Sequence, residues 1–174
     1  MAKLHTLLKK QNKTVTCAES CTGGLIAKMI TDPAGSSAVF RGSFVTYCDQ
    51  MKRDLLGVEE ETLREHTAVS AQTACEMAVG ALRRTSADLA LSATGIAGPS
   101  SDEKGTPVGT VYLGVAMNTP TGILCTAKEC RFAGTRSMVR LSAARGAILL
   151  GTQALEQGED FFAQKKFKKI PKNP

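Results

Sequence analysis

Two adjacent hydroxyls, Ser36 and Ser37, follow a proline and a glycine in Asp32-Pro33-Ala34-Gly35-Ser36-Ser37, and a phenol, Tyr47, and an amine, Lys52, come within the next fifteen residues. Those types could supply a nucleophile with its activating groups. Ser, Pro and Gly are also ordinary turn formers, so the same stretch reads equally as a loop joining a helix to a strand. A serine nucleophile needs a base, and the chain has only two histidines, His5 and His66, poor material for a Ser-His-Asp triad. The nearest alternatives are Lys52 and Tyr47. A free lysine titrates at about 10.4 and is protonated at neutral pH. Burial, or a neighbouring cation such as Arg140, would lower that value and free the amine to act as a base. Attack on an amide also requires donors for a developing oxyanion, which a glycine-rich loop could provide through backbone N–H groups. No cofactor is needed for such a reaction. No HExxH or clustered ligand set points to a metal. Cys17 and Cys21 lack a second pair, and Cys125 and Cys130, five apart in one expected strand, face opposite ways.

The elements that must position these groups follow from periodicity. Leu4, Leu7 and Leu8 among lysines predict a short amphipathic helix over 3–11. Thr14 to Ala18 reads as a buried strand, and Glu19-Ser20-Cys21-Thr22-Gly23-Gly24 as a tight turn into a helix from Leu25. That turn offers N–H groups at a helix start to an anionic part of a ligand, although it carries neither a phosphate-loop nor a dinucleotide signature. Residues 38–47 read as extended, with Gly42 allowing a bulge. Asp49 is placed to cap a helix bearing Lys52, Leu55 and Leu56. Helices are expected over 59–66 and 70–84, the second with Ser70 as its cap, and a strand over 87–93. Thr94-Gly95-Ile96-Ala97-Gly98-Pro99 then forms a second glycine-rich loop, and the polar run to Thr106 a mobile one. A hairpin spans 108–132. A last helix opens at Gly134-Thr135-Arg136, sets Arg136 and Arg140 on one face, and is expected to bury Leu141, Ile148 and Leu149.

Helices interleaved with strands predict an α/β chain: a three-layer α/β/α sandwich with a mixed central sheet. Ligands of such sheets bind beyond the carboxyl ends of the strands, where the loops after Ala18 and Ala93 could line one concavity. One domain over 1–158 is expected, with a basic, flexible tail over 159–174. The chain has 174 residues and a net charge of +6, and lysines between Gln164 and Lys172 supply most of that excess. A terminal charge run of this kind does not make a nucleic-acid reader. No apolar run is long enough to span a bilayer and the first residues do not form a signal peptide, so no membrane partner and a cytoplasmic location are expected. Small α/β enzymes often assemble, and a homo-oligomer is expected.

Taken together, Ala18-Glu19-Ser20-Cys21-Thr22-Gly23-Gly24, Ala34-Gly35-Ser36-Ser37, Val45-Thr46-Tyr47, Thr94-Gly95-Ile96-Ala97-Gly98-Pro99, Pro107-Val108-Gly109-Thr110-Val111 and Gly134-Thr135-Arg136 resemble the CinA C-terminal domain family, in the same order and over residues about 3 to 157. The resemblance implies hydrolysis of the carboxamide of nicotinamide mononucleotide (NMN) to nicotinic acid mononucleotide and ammonia, without a cofactor. It implies Ser37 as nucleophile, Lys52 as general base and Tyr47 as the group that relays or orients the proton. Arg140 would meet the substrate phosphate or depress the lysine, and Ser20, Thr22, Gly23, Gly35, Ser36, Thr94, Gly95 and Arg136 would complete the substrate site. The family motif carries Asn where this chain has Asp49. That carboxylate either caps its helix or pairs with Lys52 and weakens the base. A non-catalytic nucleotide-binding or regulatory module is the competing expectation.

Overall fold

The computed structural model describes residues 2–163 and 168–170. Leucines at helical spacing bury Leu4 and Leu8 of α1 (Ala2–Lys10), and the uninterrupted apolar run that follows forms β1 (Val15–Glu19), buried at every position as a central strand must be. The chain then turns into α2 (Leu25–Thr31), passes a 3₁₀ turn (Ser36–Ala38), and returns as β2 (Phe40–Val45). Three helices follow: α3 (Asp49–Leu56), α4 (Glu60–His66) and α5 (Ala71–Thr85). After β3 (Leu89–Gly95) comes the hairpin of β4 (Thr110–Thr119) and β5 (Gly122–Arg131), then the long α6 (Arg136–Gln157), the short α7 (Asp160–Ala163) and a three-residue β6 (Lys168–Ile170).

The strands lie in the order β2-β1-β3-β4-β5-β6. β2, β1 and β3 run parallel, and β4, β5 and β6 alternate against them, which makes the sheet mixed as expected. One face packs against α1, α2, α6 and α7 through Val15, Cys17, Leu89, Leu91, Leu113 and Val115, and the other against α3 and α5 through Ala18, Ala90, Ala116 and Cys125. Helices on both faces give the three-layer sandwich. Cys125 and Cys130 do sit on opposite faces. Among the described residues no helix is long and apolar enough to cross a membrane.

Because β1, β2 and β3 are parallel, every connection leaving them opens at one end of the sheet and every connection entering them closes at the other. The expected bulge in the second strand is present. The register jumps from Phe40 opposite Val15 to Gly42 opposite Thr16, with Gly42 at φ 134°. Ser70 caps α5 by accepting from the Thr73 N–H, and Thr135 caps α6 by accepting from Met138.

Three expectations need correction. Asp49 does not cap α3: the cap position is Cys48, and Asp49 is the first helical residue. Of the three leucine-type residues expected in the α6 core only Ile148 is buried, whereas Leu141 and Leu149 are exposed, because the inward stripe is set by Val139, Ala143, Ala147, Leu150 and Ala154. Finally, the chain does not become a tail at residue 159. Phe161 and Phe162 of α7 are buried in the main core and meet edge to face with ring centroids 5.2 Å apart. Most of the expected tail beyond Ala163 lies outside the described residues.

Phe162→Ala should therefore lower the unfolding free energy by about 3–5 kcal/mol, the usual cost of emptying a buried aromatic site. Denaturant unfolding of the two proteins measures it, and equal midpoints would restore the boundary at residue 158.

Candidate functional site

The carboxyl ends of β1, β2 and β3 release three segments at the same end of the sheet: Ser20–Gly24, Thr46–Cys48 and the loop from Ile96. The start of α6 joins them. Arg136 spans two of these segments, donating from one guanidinium nitrogen to the Gly98 carbonyl at 2.7 Å and from the other to the Tyr47 hydroxyl at 2.8 Å. One turn further along α6, Arg140 donates from Nε to the Cys21 carbonyl at 3.1 Å and from a terminal nitrogen to the Thr22 carbonyl at 2.8 Å. The two arginines expected on one helix face thus tie three strand ends together. Gly23 lies directly beneath that guanidinium, with φ 56°, and a Cβ there would come within 3.1 Å of it.

The turn after β1 is organised by Glu19, which is fully buried. Its carboxylate accepts from the N–H groups of Gly24 and Ile26 at 3.0 Å and of Ala27 at 2.9 Å. This corrects the expectation that the start of α2 is open to an anionic ligand: the chain's own carboxylate already fills it, an arrangement favoured by the partial positive charge of the helix end. Glu19 was visible in the sequence only as the first residue of the turn. What marks it is an acid at the last position of a strand buried on both faces. Thr22 was expected in the substrate site, whereas Thr46 was noted only as part of a motif. Both are completely buried beside these segments, and their hydroxyls have no hydrogen-bond partner among the described residues.

Lys52 points inward from α3 with only 2% of its side chain exposed. Burial lowers its basicity below the ordinary lysine value. Asp49, one turn back, opposes that shift, its Oδ1 standing 3.6 Å from Nζ, an ion-pair distance too long for a good hydrogen bond. The structure therefore resolves the Asp49 alternatives toward pairing. Cys48 and Cys21 act on Lys52 in the same direction as Asp49, more weakly. The cation that was expected to depress the lysine, Arg140, is instead spent on the loop carbonyls; desolvation does the depressing. Cys21 itself is buried, and its thiol is pushed up to about 11 by that burial. Tyr47 is 61% exposed and is held by Arg136.

The remaining expected residues divide differently. Ser20 is half-buried on the turn. Thr94 and Gly95 belong to β3, not to the loop after it. The Thr94 hydroxyl donates to the Ala68 carbonyl at 2.6 Å, and Gly95 packs so closely on β4 that a Cβ would approach the Thr110 carbonyl to 2.5 Å. Gly35, Ser36 and Ser37 lie at the other end of the sheet. Ser36 is buried and donates to the Thr31 and Pro33 carbonyls, closing the turn after α2. Gly35, at φ 78°, faces the amine of Lys9 on α1. Ser37 is exposed beside it. Between Ser37 and Lys52 runs the whole of β2, five steps of about 3.3 Å each, or some 17 Å. The structure gathers Ser20, Thr22, Gly23, Tyr47, Lys52, Arg136 and Arg140 at one end, and does not bring Ser37 to them within one chain.

A mixed sheet with helices on both faces and strand-end loops clasped by two arginines defines an α/β chain with its polar groups beyond the carboxyl ends of its parallel strands. The model of the CinA C-terminal domain family matches residues 1–155, and the chain belongs to that family. It is 54% identical over 142 residues to the nicotinamide-nucleotide amidohydrolase PncC of Enterobacter agglomerans, covering 82% of this chain and 85% of that one. It is 50% identical over 141 residues to the protein of the same name from Escherichia coli, covering 81% and 84%. A CinA-like protein of Syntrophomonas wolfei is 45% identical over 151 residues, which are 87% of this chain and 35% of that longer one. Among solved structures, the competence damage-inducible protein A of Klebsiella pneumoniae superposes with a TM-score of 0.85 at 34% identity over 90% of this chain and 95% of that one. The competence/damage inducible protein CihA of Agrobacterium tumefaciens gives 0.79 at 41% identity over 89% and 96%.

Two substitutions probe the electrostatics of this end. Glu19→Gln keeps the shape but turns an NH₂ group toward backbone donors, and should cost about 2 kcal/mol of stability in denaturant unfolding. For Lys52 the sign follows from linkage. Its folded basicity is lowered, so the unfolded chain holds the proton more readily; the penalty is full below the folded value and fades as pH rises toward about 10.4. Lys52→Met should therefore be more stable than the native chain at neutral pH, with the advantage shrinking through the alkaline range. A difference independent of pH would show that the amine is not held toward neutrality.

Proposed function

We propose that this chain is a nicotinamide-nucleotide amidohydrolase, which hydrolyses the carboxamide of NMN to nicotinic acid mononucleotide and ammonia. The observation that carries the reading is the buried amine of Lys52, desolvated toward its neutral form at the loop end of the sheet. It is supported by the relatives of that name, which this chain matches over most of both lengths. Ser20, the serine on the turn at the same end of the sheet as Lys52, serves as the nucleophile in place of Ser37, which the length of β2 keeps away. Its Oγ bonds to the carboxamide carbon while neutral Lys52 takes the hydroxyl proton, giving a tetrahedral oxyanion. The intermediate collapses with cleavage of the C–N bond, and the proton on Lys52 passes to the departing nitrogen, which leaves as ammonia. Water then adds to the acyl-serine, losing its proton to Lys52, and expulsion of the Ser20 oxygen with return of that proton frees the carboxylic acid.

Tyr47, fixed by Arg136, orients the proton between the serine and the lysine. Arg136 and Arg140 each keep guanidinium N–H groups beyond those bonded to the protein, and these meet the nucleotide phosphate. Ser20, Thr22 and Gly23 line the same end, and Thr94 and Gly95 support it from the strand beneath. The reaction requires no cofactor. One domain, which includes α7, carries it, and the working unit is a homo-oligomer in the cytoplasm. Asp49 tunes the reaction, since its carboxylate raises the basicity that burial lowers.

Purified protein should release ammonia from NMN, with Ser20→Ala and Lys52→Ala each reducing kcat by at least about a thousandfold, the order expected for loss of a nucleophile or its base, and Ser37→Ala leaving it near native. Equal rates in the native, Ser20→Ala and Lys52→Ala proteins would remove the serine mechanism, and stabilisation by NMN without any ammonia would leave a binding module. Asp49→Asn should move the acidic limb of the pH–rate profile to lower pH, because the lysine then loses its proton more easily. A limb that stays in place or moves up would separate Asp49 from the base.

A further inference from the structure

The turn that carries Ser20 leaves one of its own N–H groups unused. The Ser20 N–H continues the sheet by donating to the Ala93 carbonyl at 2.9 Å, and the Gly23 N–H closes the turn on the Ser20 carbonyl at 3.1 Å. The Gly24 N–H goes to the Glu19 carboxylate at 3.0 Å, and the Cys21 N–H acts on its own thiol. That leaves Thr22, whose N–H has no acceptor among the described residues and whose completely buried hydroxyl has no partner there. A free donor in so fully bonded a turn requires a reason, and a catalytic role is one.

Two features fix where that N–H points. Ser20 and Thr22 are the first and third residues of a turn closed by the Gly23 to Ser20 bond, and the side-chain oxygen of a first residue lies toward the N–H two residues on. The second feature is Arg140, which donates from Nε to the Cys21 carbonyl at 3.1 Å. That carbonyl and the Thr22 N–H belong to one trans peptide and point in opposite directions. The carbonyl faces α6, so the N–H faces away from it, toward the side on which α3 buries Lys52. Ser20 comes two residues after Ala18, which packs on that same side, and strand alternation sets its side chain there too.

Resting on the reading that Ser20 attacks a carboxamide, we propose that the Thr22 N–H is the oxyanion donor of the site and that Arg140 strengthens it through the Cys21–Thr22 peptide. A carbon bonded to the Ser20 Oγ carries its oxygen into reach of that N–H. A cation on the carbonyl of the same peptide draws electron density from the nitrogen, which makes the N–H a better donor as negative charge develops. The second Arg140 bond, to the Thr22 carbonyl at 2.8 Å, holds the next peptide and with it the donor. Arg140 is thus a positioning residue for the chemical step, beyond the phosphate contact of its remaining N–H groups.

Backbone ester substitution tests the assignment. Thr22 is replaced by its α-hydroxy analogue, so the N–H becomes an oxygen while the side chain is kept. On NMN, kcat should fall about a hundredfold or more, the usual loss for one oxyanion donor, with KM near the native value. Native kcat in the ester chain overturns the assignment. Arg140→Ala should lower kcat severalfold in the ordinary chain and no further in the ester chain, because the donor it acts through is gone. Equal losses in both backgrounds overturn the part given to Arg140. A readout free of the ester uses the native chain labelled with ¹⁵N-threonine and the 3-formylpyridine analogue of NMN. As Ser20 adds to the aldehyde and its proton passes to Lys52, the Thr22 amide proton should move downfield. An adduct that forms with that proton unmoved overturns the proposal. A native chain that releases no ammonia from NMN removes the activity and the proposal with it, whereas the outcomes above leave the activity standing.

Discussion

A parallel strand cannot bring its own two ends together, and that constraint governs the placement of every reactive group here. β2 enters the sheet just after Ser37 and leaves it just before Tyr47 and Lys52. The helix α2 has already carried the chain back from the loop end to the entry end, so Asp32–Ser37 is built against α1 and Lys9, not against the arginines of α6.

The loop end is held by opposite charges placed on backbone rather than on one another. Glu19 takes three N–H groups at the start of α2, and Arg140 takes two carbonyls from the same turn, so both polarities of that turn are met by side chains. Arg136 repeats the device between Gly98 and Tyr47. Three strand ends are thereby fixed, and desolvation is the largest cause that favours the neutral form of Lys52. The same arrangement fills the start of α2 with the chain's own carboxylate, which removes it as an anion site.

Much of the fold was legible in residue order. Leu4, Leu7 and Leu8 marked α1; the β-branched run before Glu19 marked a strand buried on both faces; Ser70 and Thr135 marked helix starts; and Gly42 marked a bulge. These signals are local, and their physics is complete within a few residues. What failed depended on distant partners. Asp49 looked like a cap because caps and first-turn acids share composition, and only the inward course of Lys52 reveals the ion pair. Leu141 and Leu149 looked buried because α6 is apolar on much of its circumference, and only the packing of small residues such as Ala143 and Ala147 on the sheet selects the inner stripe. The lysines after Ala163 disguised Phe161 and Phe162 as part of a tail. Arg140 was expected to act on the lysine, but proximity along a helix says nothing about which carbonyls lie across from it. The separation of Ser37 from Lys52 was readable in principle, since one strand between two residues sets them apart at opposite ends of a sheet.

The most direct measurement uses a thiol the chain already has. Cys48 is exposed immediately before α3, and Ser37→Cys places a second exposed thiol at the entry end of β2. A short bifunctional thiol reagent is applied to a mixture of ¹⁴N- and ¹⁵N-labelled chains, and the linked peptides are mapped by mass. Separation of the two positions by β2 predicts that residue 37 and residue 48 of one chain are not linked, so that any such link joins light to heavy peptides. Links between those positions carrying a single isotope label throughout, and so made within one chain, would contradict the separation by β2 on which the account stands.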